Sequence, residues 1–292
     1  MRAFDYYRPS TLEEASRLVS QPDGQLKLLA GGTDILVRVK HETTLPKGLV
    51  SLRDIPELSF IQFESHQGLA IGAMTPLGRL GSSTEIIENY PAIIEAVETI
   101  GSPQVRNRAT LGGNICNAAP SADMVPILIA YDATVKISNG KAERSVLLED
   151  FFTGPGETVL KSGELLTAVH IPPPPESSFG TYLKAYRSCM DCAIIGVALL
   201  AVFEPNKETC QDIKLVLGAV APTPIRARQS ERLAVGVKLD DALIEKVSAM
   251  AAEESRPITD IRSAASYRKT LVVVSTRRAL EAARTWAQQG GS

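Results

Sequence analysis

Four consecutive prolines, Pro172-Pro173-Pro174-Pro175, divide this chain more sharply than any other stretch of it. Each proline lacks a backbone N–H and fixes φ, so neither a helix interior nor a central strand passes through such a run, which acts as a stiff, extended spacer. A length of 292 residues exceeds one small core and suits two domains. We therefore expect a first domain over 1–175, with subdomains of about 1–56 and 57–171 and the prolines 172–175 as linker, and a second over 176–292.

The periodicities on either side mix helix and strand. Ser10 or Thr11 can cap a helix whose apolar face is Leu12, Ala15, Leu18 and Val19. A strand at 26–30 stops at Gly31-Gly32, where Thr33 or Asp34 can cap a short apolar stretch over 35–39. Residues 69–73 read as a buried strand, and Pro91 suits the first turn of a helix carrying Ile93, Ile94, Val97 and Ile100. Ser121 or Asp123 can start another helix, with Pro126 in its first turn. Asn139-Gly140 between apolar runs predicts a hairpin, and 164–171 one more strand. Beyond the prolines, strands are expected at 193–203 and 213–217. Two helices follow, one with Leu243, Val247, Met250 and Ala251 on one face, the other over about 264–287. The order is α+β, without the regular alternation of a doubly wound sheet.

Hydrophobic residues make up 44% and charged residues 22%, with a net charge of −2, the balance of a folded domain without a basic surface for nucleic acid or anionic lipid. No apolar run approaches a membrane span, and the first residues lack the apolar stretch of a secretory signal. The four cysteines are too few for a disulfide framework, so the cytoplasm is the expected compartment.

The chemistry concentrates in Leu28-Leu29-Ala30-Gly31-Gly32-Thr33-Asp34 and Thr110-Leu111-Gly112-Gly113-Asn114, each read as an apolar strand running into paired glycines. Glycine permits positive φ and removes the Cβ that would hold a phosphate off, and successive N–H groups in such turns converge on anions. Two of them facing each other could grip a pyrophosphate. Neither fits the Rossmann or P-loop spacing.

These segments, with Ile100-Gly101-Ser102-Pro103-Gln104-Val105-Arg106-Asn107 between them, resemble the signature of the flavoprotein subunits of molybdenum hydroxylases. The opening Phe4-Asp5-Tyr6-Tyr7-Arg8-Pro9 and the later Gly218-Ala219-Val220-Ala221-Pro222-Thr223-Pro224 extend the resemblance along the chain, nearest to bacterial xanthine dehydrogenase. It implies a vanillyl-alcohol-oxidase-type FAD fold of two α+β subdomains, then a C-terminal domain with a small antiparallel sheet and helices. It implies non-covalent FAD held by Lys27, Leu28, Leu29, Ala30, Gly31, Gly32, Thr33 and Asp34, and by Ala109, Thr110, Leu111, Gly112 and Gly113. Asn114, Asp123, Ile100, Leu165, Leu166 and Lys184 match further contact positions. A large molybdenum-cofactor subunit and a small subunit with [2Fe–2S] clusters are the implied partners, and NAD⁺ or another molecule the electron acceptor.

No acid–base residue is required for electron transfer through FAD, and none is assigned. Cys189 and Cys192 have dithiol spacing but precede a strand rather than a helix, so a structural or incidental role is favoured. His41, His66 and His170 stand apart, without metal-ligand spacing. A self-sufficient flavin oxidoreductase of the same fold and a non-catalytic nucleotide-binding scaffold are the rival readings. The colour of the purified protein and co-purification of a molybdenum subunit discriminate among them.

Overall fold

The apolar stripe near the start forms helix α1 (Leu12–Val19), and Thr11 caps it by accepting the Glu14 amide. Glu14 reaches back to accept the Ser10 amide, so both side chains answer donors at the helix start. The structure, a computed structural model, describes residues 3–21, 25–205 and 207–290. They fall into two compact units, one of 1–82, 102–118 and 133–172, the other of 83–101, 119–132 and 173–292.

In the first unit, β1 (Asp5–Tyr7), β2 (Leu26–Leu29) and β3 (Gly48–Ser51) make a parallel sheet with β3 central. All four residues of β3 are buried, as a strand flanked on both edges requires. Helix α2 (Ile35–Lys40) follows the first diglycine. A second, antiparallel sheet contains β4 (Ile61–Glu64), β5 (Gly68–Gly72), β6 (Thr134–Ser138), β7 (Glu143–Leu147) and β10 (Leu165–Ile171), in the order β4-β5-β10-β6-β7. The expected hairpin joins β6 to β7: Gly140 has φ of 84°, and the Asn139 side chain accepts the amides of Lys141 and Ala142. Two short strands, β8 (Phe152–Gly154) and β9 (Glu157–Thr158), pair beside it. Short helices α3 (Leu77–Leu80), α6 (Pro103–Arg106) and α7 (Leu111–Cys116) complete this unit.

The second unit is built on β11 (Ser178–Ala185), β12 (Ile195–Phe203) and β13 (Thr209–Gly218), antiparallel, with β14 (Ile225–Arg226) and β15 (Val237–Lys238) on β13. Every residue of β12 is buried, because both faces of the sheet are covered. Ile195, Val197, Leu199, Ala201 and Phe203 join a core with Ile244, Val247 and Ala251 of α10 (Asp241–Glu254) and Val272, Ala279 and Leu280 of α11 (Ala265–Gln288). The other face carries α5 (Pro91–Glu98) and α8 (Met124–Ala130), and every residue of α8 is buried; α4 (Thr84–Asn89) packs on α5, and α9 (Arg228–Ala234) packs on β13 and α10. A Cβ at Gly218 would stand 2.9 Å from Pro126 of α8, so that glycine is what lets the helix approach.

One expectation needs correction, and one strand was missed. The second diglycine does not end a strand: Gly112 and Gly113 lie in the first turn of α7, where the Thr110 hydroxyl caps the Gly113 amide. A Thr cap outweighs the low helix propensity of the glycines there. Strand β11 was not anticipated. Its apolar alternation (Phe179, Leu183 and Ala185 packed on the core) is masked by Gly180, Thr181 and Lys184.

Candidate functional site

The site residues named from the sequence gather in two groups, one within each unit. In the first unit, β2 delivers Lys27, Leu28 and Leu29 to a loop of Ala30, Gly31, Gly32, Thr33 and Asp34 that opens α2. Gly32 has φ of 83°, in the left-handed region. A Cβ on Gly31 would stand 2.0 Å from the carbonyl oxygen of Arg108, which brings this loop against the segment that carries the second diglycine. Among the described residues, the amides of Gly31, Gly32, Thr33 and Asp34 find no protein acceptor. Four consecutive unpaired donors that include a positive-φ glycine are what an anion-binding turn requires.

The second segment differs in kind. Ala109, Thr110, Leu111 and Gly112 are buried. The Leu111 amide goes to Thr75, Gly112 to Ala73, Gly113 to the Thr110 hydroxyl and Asn114 to the Thr110 carbonyl. Those donors are therefore unavailable to a ligand. The glycines serve close packing instead: a Cβ on Gly112 would lie 2.7 Å from that of Ala73, and one on Gly113 would lie 3.4 Å from that of Ala30. What the segment leaves open is the Asn114 side-chain oxygen, buried without a partner. Such an orphan costs about 1–3 kcal/mol unless a ligand satisfies it. Leu165 and Leu166 are buried in β10, against which α7 packs. Arg144 steadies the approach to them, meeting Glu164 through two hydrogen bonds of 2.8 and 2.7 Å and holding its carboxyl down to about 2, while the Glu164 side chain also accepts the Lys161 amide.

In the second unit, Asp123 and Lys184 come together, with Thr99 beside them. Lys184 Nζ donates to Asp123 Oδ2 at 3.0 Å and to the carbonyl of Thr99, the neighbour of Ile100, at 2.9 Å. The Lys184 side chain is 1% exposed and that of Asp123 9%, so this is a buried ion pair rather than a solvated lysine. Asp123 occupies the N-cap position of α8 yet makes no side-chain cap bond, because both its oxygens face β11. Burial pushes its carboxyl above the ordinary range, against the pull of Lys184 and of Tyr182, whose hydroxyl donates to Asp123 Oδ1 at 2.9 Å. Tyr182, Thr99 and Glu95 went unnoticed in the sequence. The available signal was the i, i+2 spacing of Tyr182 and Lys184, which puts both on one face of a strand.

Cys189 and Cys192 are free and exposed. Among the described residues no cluster of His, Cys, Asp or Glu is arranged to hold a metal ion, and no helix is long and apolar enough to cross a membrane.

In the first unit, a run of unpaired amides and an orphaned amide oxygen are donors and acceptors of the kind that a phosphate-bearing ligand such as FAD requires. Comparison with known proteins makes the class specific. A family profile described as "FAD binding domain in molybdopterin dehydrogenase" matches residues 2–174, and one described as "CO dehydrogenase flavoprotein C-terminal domain" matches 180–283. The chain is 33% identical over 280 residues to the xanthine dehydrogenase FAD-binding subunit of Escherichia coli O157:H7, covering 95% of each. It is 33% identical over 286 residues to the carbon monoxide dehydrogenase medium chain of Afipia carboxidovorans, covering 98% of each. The solved structure of reconstituted CO dehydrogenase from Oligotropha carboxidovorans superposes with a TM-score of 0.92 at 32% identity, over 97% of this chain and 98% of that one. The chain belongs to the FAD-binding flavoprotein subunits of the molybdenum hydroxylases, which are oxidoreductases.

Proposed function

We propose that this chain is the electron-transferring FAD subunit of a xanthine-dehydrogenase-type complex. It would take electrons from [2Fe–2S] clusters on a small subunit, fed by a molybdenum-cofactor subunit, and pass them to NAD⁺ or another acceptor, in the cytoplasm. The observation that carries this reading is the run of amides from Gly31 to Asp34 without protein acceptors, where a diphosphate can be held. The names of the relatives support the subunit reading: one is a xanthine dehydrogenase FAD-binding subunit and another a carbon monoxide dehydrogenase medium chain.

FAD, when bound, supplies two-electron acceptor chemistry; the protein supplies binding, orientation and electrostatics. Loop 31–34 donates to the diphosphate, and Lys27, Leu28, Leu29 and Ala30 shape its approach. Residues 109–113 contribute surface rather than amides, and Asn114 gains a partner for its side-chain oxygen. Leu165, Leu166 and Ile100 line apolar parts of the cofactor. Lys184, by the family resemblance, would offer the flavin a cation, which favours the form carrying more negative charge.

The test is isolation of the natively expressed protein. The expected product is yellow, holds about one FAD per chain by acid-release assay, and elutes with a larger molybdenum subunit and an iron–sulfur subunit. A colourless protein would overturn the flavin reading. A yellow protein that oxidises an organic substrate alone, without partners, would overturn the subunit reading in favour of a self-sufficient oxidoreductase.

A further inference from the structure

Strand β11 presents Tyr182 and Lys184 on one face, two residues apart. Together they divide the Asp123 carboxylate, the phenol hydroxyl taking Oδ1 at 2.9 Å and the ammonium Oδ2 at 3.0 Å. Several features lock the phenol in place. Its residue is 3% exposed. Its hydroxyl occupies the space that a Cβ on Gly196 would need, 2.7 Å away, and Gly196 is the residue that pairs with Lys184 across the β11–β12 ladder. Its amide is fastened by Glu95 at 2.7 Å, through the same oxygen that accepts the Thr181 hydroxyl at 2.8 Å. Burial raises the Tyr182 hydroxyl well above its ordinary value, so it stays protonated and donates.

The ammonium of Lys184 has three hydrogens. Asp123 and Thr99 take two of them, and the third has no oxygen or nitrogen acceptor among the described residues. The ammonium nitrogen also lies 5.8 Å from the centroid of the Tyr186 ring, and Asp123 sets where in this enclosed space the nitrogen is held. A buried carboxylate relieved of one of its two donors is free to turn, and turning loosens its hold on the lysine.

We propose that Tyr182 is a positioning residue of the flavin site: by fixing Asp123 as an oriented carboxylate, it fixes the Lys184 ammonium and thereby sets how strongly that cation favours the reduced flavin. This rests on the reading of Lys184 as a flavin contact, and the experiment separates the two.

The experiment is a dye-coupled redox titration of the FAD-loaded native complex carrying Tyr182→Phe, Lys184→Met, or both, with FAD content measured in each. Lys184→Met is expected to lower the flavin potential. Tyr182→Phe is expected to lower it less, by about fivefold in the ratio of reduced to oxidised flavin affinity, or about 20 mV at 29.6 mV per decade. In the Lys184→Met background Tyr182→Phe should add nothing. A normal potential in Tyr182→Phe beside a lowered one in Lys184→Met overturns the proposal and leaves the lysine reading intact. Equal shifts from Tyr182→Phe in both backgrounds overturn it too, since the phenol would then act without the lysine. An unchanged potential in Lys184→Met at full FAD occupancy overturns the lysine reading and the proposal with it. Should Tyr182→Phe lose FAD, Gly196→Ala displaces the hydroxyl without deleting it; a lowered potential there supports the proposal and an unchanged one overturns it.

Discussion

Replacing Lys184 by methionine keeps an apolar stem and deletes a charge whose side chain is 1% exposed. Asp123 is then a buried carboxylate left with the Tyr182 hydroxyl alone. Removing one partner of a buried pair costs about 3–5 kcal/mol when the other stays charged. The sign of its pH dependence follows from the raised carboxyl. A carboxyl whose folded value lies above its unfolded one favours the folded state when protonated, so its penalty is absent below the ordinary carboxylate range. The penalty grows as pH rises through the window between the two values. Lys184→Met removes the opposing pull of the ammonium and widens that window. The loss of stability should therefore be clearly larger at pH 8 than at pH 5, and Lys184→Met/Asp123→Asn should recover most of it at pH 8. Urea unfolding followed by Trp286 fluorescence reads this locally, because the chain's single tryptophan packs against Phe179 and Phe203 in the same unit, with ring centroids 5.9 and 6.0 Å away. Equal losses at both pH values, or no recovery in the double variant, would refute the buried-charge argument.

Other outcomes follow from the first unit. Gly31→Ala drives a Cβ into the Arg108 carbonyl, 2.0 Å away, and should cost about 1–3 kcal/mol in thermal or urea unfolding while lowering FAD content. Gly32→Val strains a backbone at φ of 83° and covers the unpaired amides, so FAD per chain should fall to near zero; full occupancy would remove loop 31–34 from the site. Gly113→Val meets the capping Thr110 hydroxyl at 2.9 Å and should lose about 1 kcal/mol of stability in urea unfolding. The Glu164 carboxyl is depressed to about 2 by Arg144, so its stabilisation is present above pH 4.5 and is lost as pH falls toward 2; an acid titration of Glu164→Gln should lack that component.

The sequence revealed elements wherever one period dominated a stretch. The stripe of α1, the Asn139-Gly140 hairpin and the apolar run of β12 are local patterns with a single structural solution. It failed where a residue type serves two purposes. Gly-Gly in 112–113 reads like Gly-Gly in 31–32, yet only tertiary contacts with Ala73 and Thr75 determine that its amides are already taken. Asp123 before an apolar run looks like a helix cap, and only the arrival of β11 turns it to Tyr182 and Lys184. A partner 59 or 61 residues away leaves no mark on the local pattern.

The threading of the chain has a consequence for its synthesis. Residues 83–101 and 119–132 belong to the second unit, while 102–118 and 133–172 return to the first. Helices α5 and α8 thus emerge from the ribosome long before β11, β12 and β13, the strands that cover their apolar faces. Until those strands arrive, Ala92, Ile93, Ala96 and Val97 and the whole of α8 face water or a chaperone. A nascent chain halted at the prolines therefore lacks the strands that bury these faces, and exposed apolar surface of that kind favours aggregation. Assembly of the second unit waits for strands that lie beyond the prolines, and so does the Asp123–Lys184 ion pair.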